Sequence, residues 1–173
     1  MRMFSRQRGV SLIEVMMALL IFSIGMIGAA GLLVMSTRSN QSAYLRTQVT
    51  FLAKGMADRM RANPQGVWGN SYDATYPNST TQDCSTSGCT ATQLASHDQG
   101  AWSAQLKTFL PSPSATIKCN AGSAGYTPNS TQVSMVPPYG GNCHMKIQWS
   151  EQGEGDVNNR AAATQTFEWD FQP

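Results

Sequence analysis

The feature of this sequence that most constrains its fold is the segment "RQRGVSLIEVMMALLIFSIGMIGAAGLLVM", which covers residues 6 to 35. From Val10 to Met35 the segment is almost wholly apolar, yet it contains one carboxylate, Glu14, close to its start. A helix needs about 20 apolar residues to cross the hydrocarbon core of a bilayer. The run is therefore long enough for a membrane span, and its length and scattered small residues are unlike an ordinary cleaved secretory signal peptide.

The charge distribution supports one orientation of this span and argues against nucleic acid as a partner. Three arginines, and no acid, precede the apolar run: Arg2, Arg6 and Arg8. Such an arrangement favours a cytoplasmic N-terminus and an extracytoplasmic remainder. Without these three, the 173-residue chain has 9 basic and 10 acidic side chains. This balance gives no concentrated positive patch for a phosphate backbone, and the length fits one globular unit plus an anchor.

Glu14 requires an explanation, because a carboxylate at the centre of a spanning helix costs about 2.5–3.5 kcal/mol. One interpretation is that Glu14 only complements the positive end of the helix dipole, for a gain of about 0.3–1 kcal/mol. The other depends on a cut between Gly9 and Val10. If the helix starts at Val10, the new amine would lie on the same helix face, about 6 Å along the axis from Glu14. A plain signal anchor is the alternative that hydropathy leaves open.

The stretch "RGVSLIEVMMALLIFSIGM" resembles the type III leader and the N-terminus of type IV pilins. The resemblance implies that residues 1–9 are a leader peptide, which a prepilin peptidase removes between Gly9 and Val10. It also implies that the same enzyme N-methylates Val10. Many members have Phe or Met in place of Val10. Glu14 then becomes an assembly contact for the N-terminal amine of an adjacent subunit.

The first helix is predicted to continue beyond the membrane. No proline occurs from residue 36 to 62, and apolar residues recur there at helical spacing: Leu45, Val49, Leu52, Met56 and Met60. Asn63-Pro64 ends the pattern, because proline excludes its predecessor from helical angles. We therefore predict a membrane half at residues 10–35 and an amphipathic half at residues 36–63.

Residues 64–173 are predicted to form an extracytoplasmic head. Residues 64 to 90 are polar and predict a long loop, and Thr90 with Gln93 forms a capping box before a second helix that ends at Pro111. Four segments then predict strands: "ATIKC", "TQVSMV", "CHMKIQWS" and "TFEWDF". The expected fold is α+β, with a long N-terminal helix packed on an antiparallel sheet of about four strands.

Stretches after the apolar segment make the resemblance to pilins more specific. The stretches "LAKGMADRMRANPQGV", "CTATQLASHDQGAWSAQLKTFLP" and "MKIQWSE" are similar to the type IV pilus modification protein PilV family, a group of minor pilins. That family implies a subunit that helps to prime pilus assembly at the inner membrane and supports surface attachment and twitching motility. The partners implied are the prepilin peptidase, other minor and major pilins, and the inner-membrane assembly machinery. No cofactor and no enzymatic activity are implied.

Four cysteines lie outside the membrane under this topology, and an oxidising compartment favours disulfides. Cys84 and Cys89 enclose a loop of four residues, whereas Cys119 and Cys143 flank the strand-rich middle. We therefore predict the pairs Cys84–Cys89 and Cys119–Cys143. A zinc site that uses the cysteines, with Cys143 or His144 as the fourth ligand, is the alternative, and we predict no metal.

Catalysis is not predicted, because the chain has only 2 histidines and no nucleophile, histidine and carboxylate can be assembled from the pattern. Two other classes of function remain open. A minor pseudopilin of a type II secretion system would share the leader, Glu14 and the long helix. A membrane-anchored enzyme or adhesive receptor would carry an independent activity in residues 64 to 173.

Overall fold

A computed structural model describes residues 9–85, 88–152 and 162–173. The leader predicted at residues 1–9 therefore lies, except for Gly9, outside the described residues. The chain divides between Gln41 and Ser42 into two compact units. The expected α+β fold is confirmed: a long first helix, a four-stranded antiparallel sheet and additional helices are all present.

The first helix, α1, runs from Leu12 to Ala62. In the first unit its side chains are exposed, apart from a half-buried Arg38. In the second unit one face is buried, and it contains the five residues of the predicted stripe together with Ala53 and Ala57. The Asn63 backbone N–H donates to the Met60 carbonyl, and Pro64 starts the next helix, so α1 ends where the sequence predicts.

The segment predicted as a polar loop contains two short elements. Helix α2, Pro64–Trp68, follows α1 directly because the Asn63 side chain accepts a hydrogen bond from the Gly66 N–H and caps it. Strand β1, Ala74–Tyr76, comes next. The prediction of a loop throughout residues 64 to 90 was therefore wrong, and the reason is local capping for α2 and pairing with another strand for β1.

Helix α3, Ala91–Phe109, begins with the predicted capping box: Thr90 accepts from the Gln93 N–H, and the Gln93 side chain accepts from the Thr90 N–H. Its core face contains Trp102 and Leu106, which are fully buried. Phe109, the last residue of the helix, is 43% exposed, whereas Leu110, just past the helix, is buried in the core.

The sheet has the order β1-β2-β3-β4, and all neighbouring strands are antiparallel. The later strands are β2 Ser114–Asn120, β3 Asn142–Gln152 and β4 Ala162–Phe171. The predicted strand "TQVSMV" was wrong. These residues lie largely in a short helix, α4 Ser130–Ser134, because Asn129 and Gln132 form a second capping box. The fourth strand is β1, which pairs with β2.

One hydrophobic core holds the second unit together. It combines the buried face of α1 after Ser42, the inner face of α3 and one face of the sheet. Alternate residues of β3 supply much of the sheet face: Cys143, Met145, Ile147 and Trp149. The indole N–H of Trp102 also donates to the Leu52 carbonyl of α1 at 3.0 Å, so α3 and α1 are joined by a directional contact as well as by packing.

Candidate functional site

The junction between Gly9 and Val10 lies just before helix α1. Both residues are exposed and precede the first helical residue, Leu12. A Cβ built on Gly9 meets nothing within 4 Å, so the folded chain itself does not require glycine there. A requirement for Gly9 would therefore come from a processing enzyme. An exposed, non-helical peptide bond is the form that a peptidase can bind in an extended conformation.

Glu14 lies in the first turn of α1, and its backbone N–H donates to the Ser11 carbonyl at 3.0 Å. The helix of the unprocessed chain begins at Leu12, and Ser11 supplies its first carbonyl, so Val10 lies outside it. The alignment of the new Val10 amine with Glu14 in the processed chain stays a prediction. Among the described residues, the Glu14 carboxylate makes no hydrogen bond or ion pair.

The apolar segment around Glu14 is unburied within the chain. Large apolar side chains between Val10 and Met35 are 47% to 80% exposed. By length and composition, α1 is apolar enough near the N-terminus to cross a membrane, and it is the one such helix among the described residues. Exposed apolar surface of this extent requires lipid or other helices to cover it.

The head contains two disulfides, and they join the pairs that the sequence predicts. Cys84–Cys89 closes a small loop just before the Thr90 cap of α3. Cys119–Cys143 links directly paired residues of β2 and β3. Because all four cysteines are in disulfides, none supplies a thiolate for the alternative zinc site. Among the described residues, no cluster of histidine, cysteine and acidic side chains could hold a metal ion.

A buried polar network, which the sequence did not predict, joins α1, α2 and α3. Asp98 of α3 is 6% exposed and accepts hydrogen bonds from Arg59 at 2.9 Å and from the Tyr72 hydroxyl at 2.8 Å. Asn63 in turn donates to the Tyr72 oxygen and to the Ala91 carbonyl. Burial, and then the hydrogen bond to Asp98, raise the pKa of Tyr72 well above its ordinary value, so this hydroxyl remains a donor.

A signal for this network was present in the sequence. Asp98 lies three residues after Ala95 and four before Trp102, so it occupies the buried helix face. An acid at such a position predicts a buried partner. The neighbouring His97 contacts the Gln82 carbonyl through Nδ1 at 2.8 Å. Both side chains therefore have structural partners, and nothing in their arrangement forms a nucleophile and base.

The long apolar helix near the N-terminus and the α+β head together fit the class of single-pass, membrane-anchored subunits. Family comparisons give the particular assignment. Residues 4–30 match the prokaryotic N-terminal methylation motif, and residues 31–100 match the type IV pilin Tt1218 family. These two consecutive matches support placement of the chain in the type IV pilin family. Comparison with curated proteins and with solved structures gives no match.

The methylation motif implies processing by a prepilin peptidase and assembly with other pilins. It includes the exposed Gly9–Val10 junction and Glu14. The Tt1218-like match covers the rest of α1, α2, β1 and the first half of α3. The disulfide between β2 and β3 lies beyond both matched regions.

Proposed function

We propose that this protein is a minor pilin of the PilV kind, which takes part in priming and assembly of type IV pili and so supports surface attachment and twitching motility. The carrying observation is the Glu14 carboxylate. It lies within the matched methylation motif and on an exposed apolar helix, without an ion-pair partner among the described residues. A carboxylate on an apolar helix surface is costly in lipid, and the N-terminal amine of an adjacent processed chain would neutralise it. Glu14 is therefore well placed for a contact between subunits.

Under this proposal residues 1–9 are a cytoplasmic leader, residues 10–35 anchor the protein in the inner membrane, and residues 36–63 continue the helix. Residues 64–173 form a periplasmic head. The partners are the prepilin peptidase, other minor and major pilins, and the inner-membrane assembly machinery. The role is structural rather than enzymatic. The disulfides support the periplasmic location, because such bonds persist in oxidising compartments.

The first test is the processed N-terminus. Intact-mass measurement of the protein extracted from membranes is expected to show a chain that begins at N-methylated Val10. A Gly9→Leu variant should retain its leader, because the residue before the cut is part of the motif. If wild-type protein in cells with functional pili kept residues 1 to 9, the assignment as a processed pilin would be wrong.

The second test is Glu14→Ala. Membrane insertion should be normal or better, since the change removes a charge that is costly in lipid, and leader removal should persist because the cut lies before Val10. Co-purification with other pilins should fall about tenfold, which corresponds to about 1.4 kcal/mol of lost contact energy. A Ser23→Ala variant is the control, because the Ser23 hydroxyl only donates a hydrogen bond to the Leu19 carbonyl of the same helix.

Two outcomes would redirect the proposal. If Glu14→Ala protein is processed, inserted and recovered with other pilins at wild-type levels, Glu14 only complements the helix dipole. If the co-purifying subunits belong to a secretion pseudopilus, and loss of the protein reduces secreted proteins without changing surface fibres, the pseudopilin alternative replaces the pilus role. A hydrolase and ligand screen on the purified protein addresses the third class.

A further inference from the structure

A small pocket with a mixed polar and aromatic lining lies in the second unit, between α1 and the strands β3 and β4. Its volume is about 180 Å³. Helix α1 and the two strands contribute its lining: Arg46, Thr50, Trp149, Gln165, Thr166 and Phe167. No acidic side chain is among these residues. We call this site the Arg46 pocket.

The lining of the Arg46 pocket is rich in hydrogen-bond donors. Among the described residues, the side chains of Arg46 and Gln165 make no hydrogen bond or ion pair. The Thr166 hydroxyl oxygen accepts from the Gln148 amide at 3.4 Å, which leaves its proton available to donate. Arginine is always charged and presents a fork of N–H groups that matches a carboxylate.

Trp149 supplies an independent observation. Its side chain is 3% exposed, and its indole N–H is buried without an acceptor among the described residues. An indole nitrogen can only donate, and a buried donor without a partner is energetically unfavourable. Buried polar groups in folded proteins are nearly always satisfied by protein, water or a bound group. The lining of the Arg46 pocket therefore includes an exposed arginine without an ion pair among the described residues and the ring of Trp149, whose buried N–H has no acceptor there.

We infer that the Arg46 pocket binds a carboxylate from a neighbouring pilin, as an acidic side chain inserted between α1 and β4. This inference rests on the proposed function. Sites for drug-sized ligands have volumes of about 300–1,000 Å³, so this pocket suits a single side chain better than a free metabolite. Strand β4 pairs only with β3 among the described strands, so its outer edge is open to a second subunit.

Glu151 lies two residues after Trp149 on the same face of β3, but its carboxylate does not fill the Arg46 pocket. It is outside the pocket lining, it makes no ion pair with Arg46, and its Oε2 atom is itself buried without a partner among the described residues. Glu151 therefore does not neutralise the Arg46 cation. An incoming carboxylate would pair with Arg46 and accept from the amide and hydroxyl donors around it.

The chemistry of the pocket is tested by titration of the full-length protein in detergent micelles with N-acetylglutamate N-methylamide. The Trp149 indole N–H signal, assigned with a Trp149→Phe variant, should shift and saturate. The matched glutamine compound, which lacks the charge, should leave it unchanged. Arg46→Gln should weaken the binding at least fivefold, whereas Lys54→Gln, which removes a charge from an exposed position of the same helix, should not.

Three outcomes would overturn the inference: no shift at Trp149, equal shifts with both compounds, or an equal loss in Lys54→Gln. A further variant, Glu154→Gln with Asp156→Asn, removes two acids of this chain that lie outside the described residues. If only this variant binds the probe, the carboxylate comes from the same chain and the partner inference is wrong.

The source of the carboxylate is tested in cells. Arg46→Gln should lower co-purification with other pilins at least threefold, with leader removal and insertion unchanged, while Lys54→Gln should match wild type. Wild-type recovery for Arg46→Gln would overturn the inference even if the probe binds. If wild-type protein does not co-purify with pilins at all, the proposed function fails, and the titration still decides whether the pocket binds carboxylates.

Discussion

Replacement of Asp98 by alanine is expected to cost the head about 3 kcal/mol of its free energy of unfolding. Asp98 is 6% exposed and is the acceptor at the centre of the buried polar network. Its Oδ1 atom accepts from Arg59 of α1, and its Oδ2 atom accepts from the Tyr72 hydroxyl. Alanine removes both acceptors and leaves the buried Tyr72 hydroxyl without the acceptor of its proton.

The magnitude follows from these two contacts. A buried hydrogen bond to a charged acceptor contributes about 1.5–3 kcal/mol, which applies to Tyr72. The ion pair with Arg59 contributes less, about 0.5–1 kcal/mol, because the arginine side chain is 33% exposed and remains partly hydrated without its partner. Asp98→Asn keeps one oxygen acceptor, so its cost should be about half. Tyr72→Phe combined with Asp98→Ala should show a coupling energy of about 1–2 kcal/mol.

Denaturant unfolding of the full-length protein in detergent, followed by near-ultraviolet circular dichroism, measures these values. Asp58→Ala is the matched control, because Asp58 forms an exposed ion pair with Arg61, in which the Asp58 side chain is 71% exposed. That change should cost less than about 0.5 kcal/mol. If Asp98→Ala and Asp58→Ala lower the free energy of unfolding equally, burial does not determine how much the Asp98 network stabilises the head.

Two more predictions concern the helices and the disulfides. Gly100→Ala should destabilise the head by at least about 1 kcal/mol, because a Cβ there meets the Thr80 backbone carbonyl, whereas Gly55→Ala, with open space around it, should stabilise by up to about 1 kcal/mol. Thermal unfolding measures both, and equal shifts would contradict the packing argument. Loss of Cys119–Cys143, with a sequence separation of 24, should cost about 3 kcal/mol, against about 2 for Cys84–Cys89, with a separation of 5. Peptide mapping without reduction checks the pairs, and the reverse order of stability would refute the loop-length argument.

The elements that the sequence predicted best are those with long, regular patterns. Helix α1 combines an apolar run with a sustained stripe and a clear end at Asn63-Pro64, and α3 has a capping box and a terminal proline. Strands β3 and β4 have 11 and 10 residues, and more buried residues alternate with more exposed ones from Cys143 to Trp149 and from Gln165 to Phe171. In each case the local signal and the buried face agree, which makes prediction reliable.

The errors occurred where the element is short. The alternation in "TQVSMV" favoured a strand, but Asn129 and Gln132 satisfy each other's backbone groups, and that local capping gives a five-residue helix. Strand β1 has three residues and exists because it pairs with β2, a contact that no local pattern reveals. The Asp98 network and the Arg46 pocket likewise depend on residues brought together from distant parts of the chain.

The free edge of β4 has a consequence for the time before assembly. A ten-residue strand that pairs only with β3 among the described strands offers unpaired backbone groups to any other extended chain. Its exposed face ends in two acids, Glu168 and Asp170, which are paired across the strand with Lys146 and His144. These charges act as gatekeepers against stacking of identical strands. Under the proposed function, these charges would keep heads that lie side by side on the membrane surface from merging into a continuous sheet.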